Sequence, residues 1–496
     1  MIIAGSDALI LIGATSLVCY HFLNRRWKIR SGGFPLPPGP QRRLLVRNLF
    51  DLPVFEPWKR FAFWSEEYGD LVYLRTFGTG ILALNSIEAV NELFEKRSQV
   101  YSDRPTFVMA GELIGFDQTL AFAHYGTSWR QQRKLAHSAL NSEAVKKYHQ
   151  LQEHVVALYL ESLVSDPTGY ASAIHLQYLD DMVKMMDLVT EYFRPGAFLV
   201  DLIPQLKHLP TWLPFNNIHQ IAAAGRELLL RVVDRPFLHV KRQFEEGTAP
   251  PSYVAHCLEQ HSTGDAGDDM DYYIRWSANT MYGAGAETTY GTIITFIYIM
   301  ALYPDVQAKG IEEIHRVVGL DRLPTLGDRD QLPYVNAIIK ELYRYNPVVP
   351  LSLPRTNTED DVYRGCFIPK NTLILPNVWA ISRDQDSGIP PEDFVPERFM
   401  PSHVKQTATD PLTYTFGFGR RLCPGRFLGD NSVFLFISGL LAAFDITQKR
   451  DENGGSVPMD VQFVPGMVSY PQPFPVDIVP RSHHIVAAVK SRAAAQ

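Results

Sequence analysis

Hydrophobic residues recur mainly at helical spacing through the middle of the chain, whereas strand-like alternation is confined to short stretches near its two ends. Alternation predicts strands over Asp70–Asn85, with Gly78 and Gly80 supplying a hairpin turn, and over Asp361–Leu375. A third candidate hairpin covers Phe463–Phe474. The pattern predicts a mainly helical fold with small β-sheets, of the α+β kind.

The N-terminus has a different pattern, because Ala8–Leu23 is almost wholly apolar and four positive charges follow within residues 24–30. Such charges stay on the cytoplasmic side of a membrane. A cleavable signal peptide carries its positive charge before the apolar run and ends in small residues. We therefore interpret residues 1–24 as an uncleaved membrane anchor, with a signal peptide as the alternative, since the apolar run is short for a span of about 20 residues.

A basic and proline-rich linker is predicted over residues 25–40, because Phe34–Pro40 holds too many prolines for a helix or a central strand. Neither an internal repeat nor a low-complexity tract follows. Residues 41–496 are therefore expected to form one large catalytic domain on the cytosolic side of the membrane.

Composition narrows the class of protein further. The chain has 496 residues and a net charge of −6, which argues against a nucleic-acid-binding protein. Its four cysteines are scattered and form no Cys-x-x-Cys pair, which argues against a disulfide framework and a zinc ribbon.

One cysteine, Cys423, lies in the glycine-rich stretch FGFGRRLCPGRFLG. Glycines on both sides remove Cβ atoms that would obstruct a planar macrocycle, and Pro424 is suited to the first position of a helix. The positive end of that helix dipole would favour the ionised thiol, and Arg421 could pair with an acidic group of the same cofactor. The alternative is a small buried cysteine in a loop.

Five positions in this stretch follow the pattern Phe-x-x-Gly-x-Arg-x-Cys-x-Gly, and they are Phe416, Gly419, Arg421, Cys423 and Gly425. The stretch resembles the haem-binding loop of the cytochrome P-450 family. The resemblance implies a single large helical fold of that family and haem b as the cofactor. It also makes Cys423 the axial thiolate ligand of the iron, with Phe416, Gly417 and Arg421 beside the haem.

Further motifs of the family occur upstream of the cysteine. Glu341 and Arg344 share a helix face at i, i+3 spacing and match Glu-x-x-Arg, and Arg398 in PERF would be their third partner. Alone, Glu-x-x-Arg is usually an exposed ion pair of small value. By the resemblance, the three residues form a buried structural cluster without chemistry of its own.

Hydrogen-bond donors that would meet the haem propionates also match the family. Trp129 and Arg133 lie one helical turn apart in YGTSWRQQRK, and a guanidinium suits a carboxylate through two parallel hydrogen bonds. Arg355, in LSLPRTN, stands where the family often places another propionate partner. For the first pair, the alternative is an amphipathic helix with a basic face.

The stretch MYGAGAETTYG lies inside a long helical and apolar run from about residue 270 to residue 303. Its glycines each destabilise a helix by roughly 1 kcal/mol relative to Ala, which needs a reason. The stretch resembles the family's oxygen-binding helix, in which Gly285 would let the haem approach. Thr288 would then hold the activated oxygen and Glu287 would help to deliver protons. The alternatives are close helix packing and a Thr288 hydroxyl bonded back to the Ala284 carbonyl.

Segments that contact the substrate in the family are predominantly apolar in this chain, and they are Thr106–Phe116, Asn346–Pro354 and Val464–Pro471. They favour a lipophilic substrate, although core packing explains them equally well. Pro204–Phe215 is a proline-rich apolar loop in which Trp212 and Phe215 are predicted to be exposed. We interpret this loop as a membrane contact, with packing against the body as the alternative.

The chain carries neither a dinucleotide-binding fingerprint nor a phosphate loop. The resemblance implies that electrons come from NADPH–cytochrome reductase, a separate membrane protein. Candidates for a basic docking face are Arg130, Lys134, Arg420 and Arg426, which are otherwise ordinary solvated charges.

By the resemblance, these features together imply a monooxygenase of the endoplasmic reticulum membrane that uses dioxygen to oxidise a lipophilic small molecule. The segments YSDRPTF and DDVYRG most resemble fungal enzymes of secondary metabolism, whose products include terpenoids and polyketides. One alternative is a haem-thiolate isomerase or dehydratase that uses no dioxygen. Another is a haem-binding membrane protein without catalytic activity.

Overall fold

A computed structural model describes residues 21–22, 24–43, 47–76, 79–172, 179–193, 197–210, 212, 217–261, 267–383, 388–401, 403 and 408–495. The predicted anchor falls almost wholly outside these residues, and so do Gly78 and Phe215. Helices account for 57% of the structure, which confirms the predicted mainly helical fold with small sheets.

The helices follow one another through most of the chain. Their bounds are α1 Pro57–Tyr68, α2 Ile87–Asn91, α3 Thr127–Leu140, α4 His149–Ser165, α5 Leu179–Tyr192, α6 Leu199–Leu202, α7 Ile218–Glu245, α8 Tyr253–His261, α9 Gly267–Leu302, α10 Pro304–Val317, α11 Pro333–Tyr345, α12 Val378–Ile381, α13 Arg426–Ala443 and α14 His483–Ala494. Two π-helical segments cover Glu92–Lys96 and Val108–Ile114. Short 3₁₀ turns connect several helices, including Gly419–Arg421, which ends two residues before the cysteine.

The strands form three small sheets. Their bounds are β1 Leu71–Arg75, β2 Gly80–Leu84, β3 Arg355–Thr356, β4 Asp361–Tyr363, β5 Cys366–Ile368, β6 Leu373–Pro376, β7 Phe444–Gln448 and β8 Val476–Pro480. The largest sheet has the order β1-β2-β6-β3, in which only β2 and β6 run parallel. β4 pairs with β5 and β7 pairs with β8, both antiparallel.

The hairpin predicted over residues 70–85 forms as β1 and β2, but the expected role of Gly80 in its turn is wrong. Gly80 is already the first residue of β2, opposite Arg75. A Cβ atom at Gly80 would lie 2.1 Å from the hydroxyl oxygen of Tyr73, so this position requires glycine because of a close approach.

The segment Phe463–Phe474 pairs with itself in an antiparallel manner, as the hairpin prediction expects, but the pairing is too short to form two strands. Phe463 and Pro471 form an isolated bridge, which is flanked by two bonds of 2.9 Å, from the Val464 N–H to the Tyr470 carbonyl and from the Gln472 N–H to the Gln462 carbonyl. Three of its residues are prolines, which cannot donate to a ladder. The strands near this end of the chain are instead β7 and β8.

The long helix α9 crosses the centre of the molecule and packs against α3, α7, α13 and β7. Its C-terminal half is core, since Ile293, Phe296 and Ile297 are fully buried. Its middle, at Ala284 and Gly285, is exposed. The same helix therefore changes from a core element to a solvent-accessible surface, and we call the space beside this surface the groove.

Helix α13 follows the cysteine and forms much of the core, since its residues from Val433 to Ala443 are buried. The prediction that Pro424 is its first residue is wrong, because the helix begins at Arg426 with Gly425 in the capping position. Of the helices that the structure describes, α13 alone is long and apolar enough to cross a membrane, and 61% of it is buried in the protein.

The predicted linker packs along the body. Arg30 makes two hydrogen bonds to Asp360, of 2.7 and 2.6 Å, and the Trp27 ring lies edge-on to Phe367 at 5.5 Å. The Pro38 carbonyl accepts a bond of 2.8 Å from the N–H of Tyr73 in β1. These contacts fix the point at which the N-terminal segment leaves the body.

Candidate active site

The cysteine loop comprises residues 416–425, which include the 3₁₀ turn Gly419–Arg421 and end where α13 begins. The Cys423 N–H donates a hydrogen bond of 2.9 Å to the Phe416 carbonyl, which closes the loop. Gly417 has a φ of +80° and Gly419 a φ of +52°, both in the left-handed region that favours glycine. A Cβ atom at Gly419 would also lie 2.2 Å from the Phe94 carbonyl oxygen.

Opposing effects act on the Cys423 thiol. Burial raises its pKa, while a hydrogen bond from the Gly425 backbone and the charges of Arg133 and Arg426 act in the other direction. The thiol group therefore lies in a half-buried position where a backbone donor and two positive charges would stabilise a thiolate. Such surroundings suit a thiol that gives up its proton to bind a metal.

Arg421 and Arg355 are buried beside the loop, and each holds one nitrogen, Nη1, without a hydrogen-bond partner among the described residues. Backbone carbonyls bind the other two nitrogen groups of Arg421 and the Nη2 of Arg355. Arg421 donates to the Ser102 and Ala123 carbonyls at 2.9 and 2.8 Å, and Arg355 donates to the Phe418 carbonyl at 2.5 Å. Two cationic donors thus remain available inside the protein.

Aromatic rings support both guanidinium groups. The Arg421 guanidinium lies 4.5 Å from the ring centre of Trp129, which is itself 6% exposed, and that of Arg355 lies 4.1 Å from the ring of Phe94. Burial lowers the pKa of Arg421 to about 10 and that of Arg355 to about 9, with Arg421 adding repulsion to the latter. Both groups would gain from a nearby anion.

Arg104 is a third buried cation, and sequence reasoning did not assign it a role. It donates to the carbonyls of Ala121, Leu353 and Pro354 at 2.8, 3.0 and 2.6 Å. Burial, followed by the charges of Arg421 and Arg355, lowers its pKa well below the ordinary value. Because its partners lie 17 to 250 positions away in the chain, no local pattern marks this residue.

These residues fit a haem. Its two carboxylates would meet the unpartnered nitrogens of Arg355 and Arg421, and its iron would meet the Cys423 sulfur. A Cβ atom at Gly285 would meet nothing within 4 Å, and one at Gly417 would meet only the Arg421 carbonyl oxygen, at 3.9 Å. The loop and α9 therefore both offer the smooth surface that a planar group needs.

The structure brings Trp129 and Arg133 of α3 to this region in different ways. Trp129 packs against the Arg421 guanidinium, as described above. Arg133 donates a hydrogen bond of 2.6 Å to the Leu422 carbonyl, directly before the cysteine. Phe416, at the start of the loop, packs edge-on against Tyr343 at 5.9 Å. All these residues lie around the cysteine loop.

On α9, the Thr288 hydroxyl donates a hydrogen bond of 2.6 Å to the Ala284 carbonyl, which is the local bond considered as the alternative. Glu287 differs, because its buried Oε2 has no partner among the described residues. Burial, followed by the charge of Asp187 on α5, raises the pKa of Glu287 to about 7. This carboxyl group therefore holds or releases a proton near neutral pH.

Glu341, Arg344 and Arg398 meet in the core with almost no exposed surface. Glu341 accepts two hydrogen bonds from Arg344, at 2.7 and 2.8 Å, and one from Arg398 at 3.4 Å. The arginines also bind backbone carbonyls in the segment 389–393. The cluster joins α11 to the segment that leads into the cysteine loop.

The four candidate docking residues lie on α3, in the cysteine loop and at the first position of α13. Arg130, Lys134 and Arg420 are exposed, and Arg426 is partly exposed. Arg420 donates a hydrogen bond of 3.0 Å to the Tyr125 hydroxyl. In the predicted membrane loop, Trp212 is 78% exposed.

Comparison with known proteins agrees with this geometry. The family model described as Cytochrome P450 matches residues 37–167 and 173–469. The chain therefore belongs to the cytochrome P450 family, whose members carry a haem with a thiolate ligand. The expectation of a cytochrome P450 monooxygenase, an oxidoreductase, is confirmed at this level.

Its relatives include proteins of basidiomycete fungi. Cytochrome P450 monooxygenase 208 of Postia placenta is 38% identical over 95% of this chain and 94% of the relative. Cytochrome P450 monooxygenase COX2 of Coprinopsis cinerea is 37% identical over 91% and 90%. Cytochrome P450 monooxygenase claR of Ampulloclitocybe clavipes is 36% identical over 90% and 87%.

Proposed function

We propose that the protein is a membrane-anchored haem-thiolate monooxygenase that oxidises a lipophilic small molecule. The observation that carries the proposal is the arrangement of Cys423 in its glycine loop beside two buried arginines, each with an unpartnered nitrogen. A single buried cysteine would need neither the left-handed glycines nor the buried positive charge.

In this proposal haem b is the cofactor, Cys423 is its axial ligand and Arg355 and Arg421 bind its carboxylates. The Trp129 ring packs against the Arg421 guanidinium, and Arg133 donates a hydrogen bond to the backbone carbonyl of the residue before the cysteine. Gly285 and Gly417 leave room for the two faces of the ring. When bound, the haem supplies the thiolate-ligated iron at which dioxygen is activated.

Glu287 and Thr288 are the proposed proton-handling residues. Burial raises the pKa of Glu287 to about 7, so this carboxyl group can hold a proton near neutral pH and pass it into the groove. The Thr288 hydroxyl rests on the Ala284 carbonyl, which still leaves its oxygen able to accept a hydrogen bond. The two side chains stand next to each other on the helix that walls the groove.

Electrons would come from NADPH–cytochrome reductase, because the sequence carries no nucleotide-binding fingerprint of its own. Arg130, Lys134, Arg420 and Arg426 surround the cysteine loop and form the proposed docking face. Such a face would give an association that weakens as salt increases.

The membrane assignment rests on residues 1–24 together with exposed apolar side chains near them and in the loop before α7. The exposed side chains are Phe22, Ile29, Phe34, Leu199, Ile203 and Trp212. Apolar surface of this extent suits a lipid contact. We place the catalytic domain, residues 41–496, on the cytosolic face of the endoplasmic reticulum, after the linker of residues 25–40.

The proposed substrate is a lipophilic small molecule of fungal secondary metabolism, such as a terpenoid or a polyketide. The apolar composition of the groove-lining segments supports a lipophilic ligand, and fungal relatives support the biological setting.

The first test is the difference spectrum, carbon monoxide-bound minus reduced, of the purified full-length protein. We expect a strongly red-shifted Soret band in the parent and in Cys366→Ala, whose cysteine lies in the β4–β5 hairpin, and no such band in Cys423→Ala. Absence of the band from folded, haem-loaded parent would overturn the proposal. With reductase added, product formation should depend on NADPH and dioxygen; turnover without reductase would instead indicate an isomerase or dehydratase.

A further inference from the structure

Helix α5 is held against two neighbours by close contacts at the places where they cross. A Cβ atom at Gly283 of α9 would lie 3.7 Å from the Met186 sulfur, and one at Gly466 would lie 2.1 Å from Cγ2 of Thr190. Asp187 shares a helix face with Thr190 and follows Met186. It therefore lies where α5 meets both α9 and the segment 463–474, two elements that the family resemblance assigns to the substrate site.

Two ionisable side chains reach the same place from the neighbouring elements. Glu287 lies one helical turn after Gly283 on α9, and Tyr470 lies four residues after Gly466. The Tyr470 ring packs against α9, 5.3 Å from the ring of Tyr290. The negative charge of Asp187 raises the pKa of both Glu287 and Tyr470, as expected for a carboxylate at this junction of the three elements.

Asp187 itself is exposed, although it lies between the apolar residues Met186 and Leu188. Within the described part of the chain, no hydrogen bond or ion pair reaches its carboxylate. Asp181 on the same helix is different, because it pairs with Arg231 at 3.5 Å. An unpaired carboxylate next to the buried Glu287 disfavours ionisation of the latter, so the arrangement is not explained by stability.

We propose that Asp187 is a specificity-determining residue, which accepts a hydrogen bond from a hydroxyl or protonated amine on an otherwise lipophilic substrate. The inference rests on the proposed function, since it concerns the substrate of the same groove. A carboxylate only accepts hydrogen bonds, so it selects for donors. A ligand without a donor would displace water from Asp187 and leave the charge unpaired, which is how polar sites reject apolar analogues.

The donor preference can be measured with four probes that share one bicyclic skeleton. Borneol carries a hydroxyl, bornylamine carries an ammonium group, camphor only accepts hydrogen bonds and bornane has no polar group. Equilibrium dialysis against the full-length holoprotein gives the dissociation constant of each probe. We expect borneol, bornylamine or both to bind roughly 10- to 100-fold more tightly than camphor and bornane, in line with a charge-assisted hydrogen bond. The probe that binds more tightly shows whether the substrate donor is a hydroxyl or an ammonium group.

Asp187→Leu should remove this preference, whereas Asp181→Leu, on another face of the same helix, should keep it. Failure of the donor probes to bind more tightly than bornane, or a preference that survives in Asp187→Leu, would overturn the inference. Haem content and the reduced carbon monoxide spectrum of the same preparations separate the two proposals. A normal red-shifted band without donor preference would disprove only the role of Asp187. Loss of the band in the parent would disprove the proposed function.

Discussion

Arg133 donates a hydrogen bond of 2.6 Å to the carbonyl of Leu422, which stands 289 positions later in the chain and directly before the cysteine. The bond ties helix α3 to the cysteine loop. Burial lowers the pKa of Arg133, and the proximity of Cys423 acts against this effect. The guanidinium thus combines two tasks, because it fixes the loop backbone and places positive charge beside the sulfur.

Replacing Arg133 by Met should therefore weaken the cysteine site without unfolding the protein. A hydrogen bond from a charged group contributes about 1.5–3 kcal/mol. We expect lower haem occupancy and a shift of the reduced carbon monoxide complex from the thiolate-ligated band toward a blue-shifted one. Arg130→Met removes the same charge from an exposed position of α3 and should leave this spectrum unchanged. Equal spectra for the two variants would contradict the assigned role.

The cluster of Glu341 with two buried arginines predicts a large effect on stability. Glu341→Gln leaves both guanidinium groups in the core without a counter-charge, and breaking a buried pair in this way destabilises by about 3–5 kcal/mol. The measurement is the free energy of unfolding by denaturant. The matched control is Glu143→Gln, which breaks an exposed i, i+3 pair with Lys146 at 2.8 Å and should change stability by less than about 1 kcal/mol. Similar losses for both variants would refute the prediction.

The buried pair Glu341–Arg344 and the exposed pair Glu143–Lys146 have the same spacing, so the sequence alone does not distinguish them. Spacing predicted that Glu341 and Arg344 share a helix face, and they do. Their burial depends on carbonyls of residues 389–393, which a loop brings from about 50 positions away. Arg104 was missed for the same reason, since all its partners belong to loops distant in sequence.

Turn positions and helix ends were least predictable where they depend on residues outside the local sequence. Gly80 was assigned to a turn, although the nearby Tyr73 hydroxyl requires glycine within the strand. Pro424 was expected to begin α13, but Pro424 and Gly425 still belong to the loop that presents the cysteine. Helical periodicity, by contrast, located α9 to within about three residues at each end, because the C-terminal half of the helix is continuously apolar and packs in the core.

Gly419 provides a test of the loop backbone. An alanine there would combine a φ of +52° with a Cβ atom 2.2 Å from the Phe94 carbonyl oxygen. We expect Gly419→Ala to lose at least about 2 kcal/mol of stability, since the left-handed region alone costs roughly 1–2 kcal/mol. Haem content and thermal unfolding would report the loss.

Gly429 is the control for this substitution, because it lies in the first turn of α13 and its Cβ atom would meet only Phe416, at 3.9 Å. Gly429→Ala should be neutral or stabilise by up to about 1 kcal/mol, as alanine does within helices. If Gly419→Ala were as stable as Gly429→Ala, the close approach of the loop to Phe94 would be disproved.

The raised pKa of Glu287 predicts a specific pH dependence. Its folded-state pKa of about 7 lies above the ordinary value of 4.5, so the folded protein holds this proton more tightly than the unfolded chain does. The resulting stability is fully present below about pH 4.5 and is lost as the pH rises through about 7. Below that midpoint Glu287 is mainly neutral, and above it mainly ionised.

Infrared difference spectra of the parent against Glu287→Gln would follow the protonated carboxyl group directly. We expect its band to disappear with a midpoint near pH 7, because the group is buried and lies close to Asp187. Asp187→Asn removes the second cause and should move the midpoint to lower pH, whereas Asp181→Asn should not, since Asp181 faces Arg231. A midpoint below pH 5 in the parent would show that Glu287 is ionised at neutral pH, and its assignment as the residue that holds the proton would then fail.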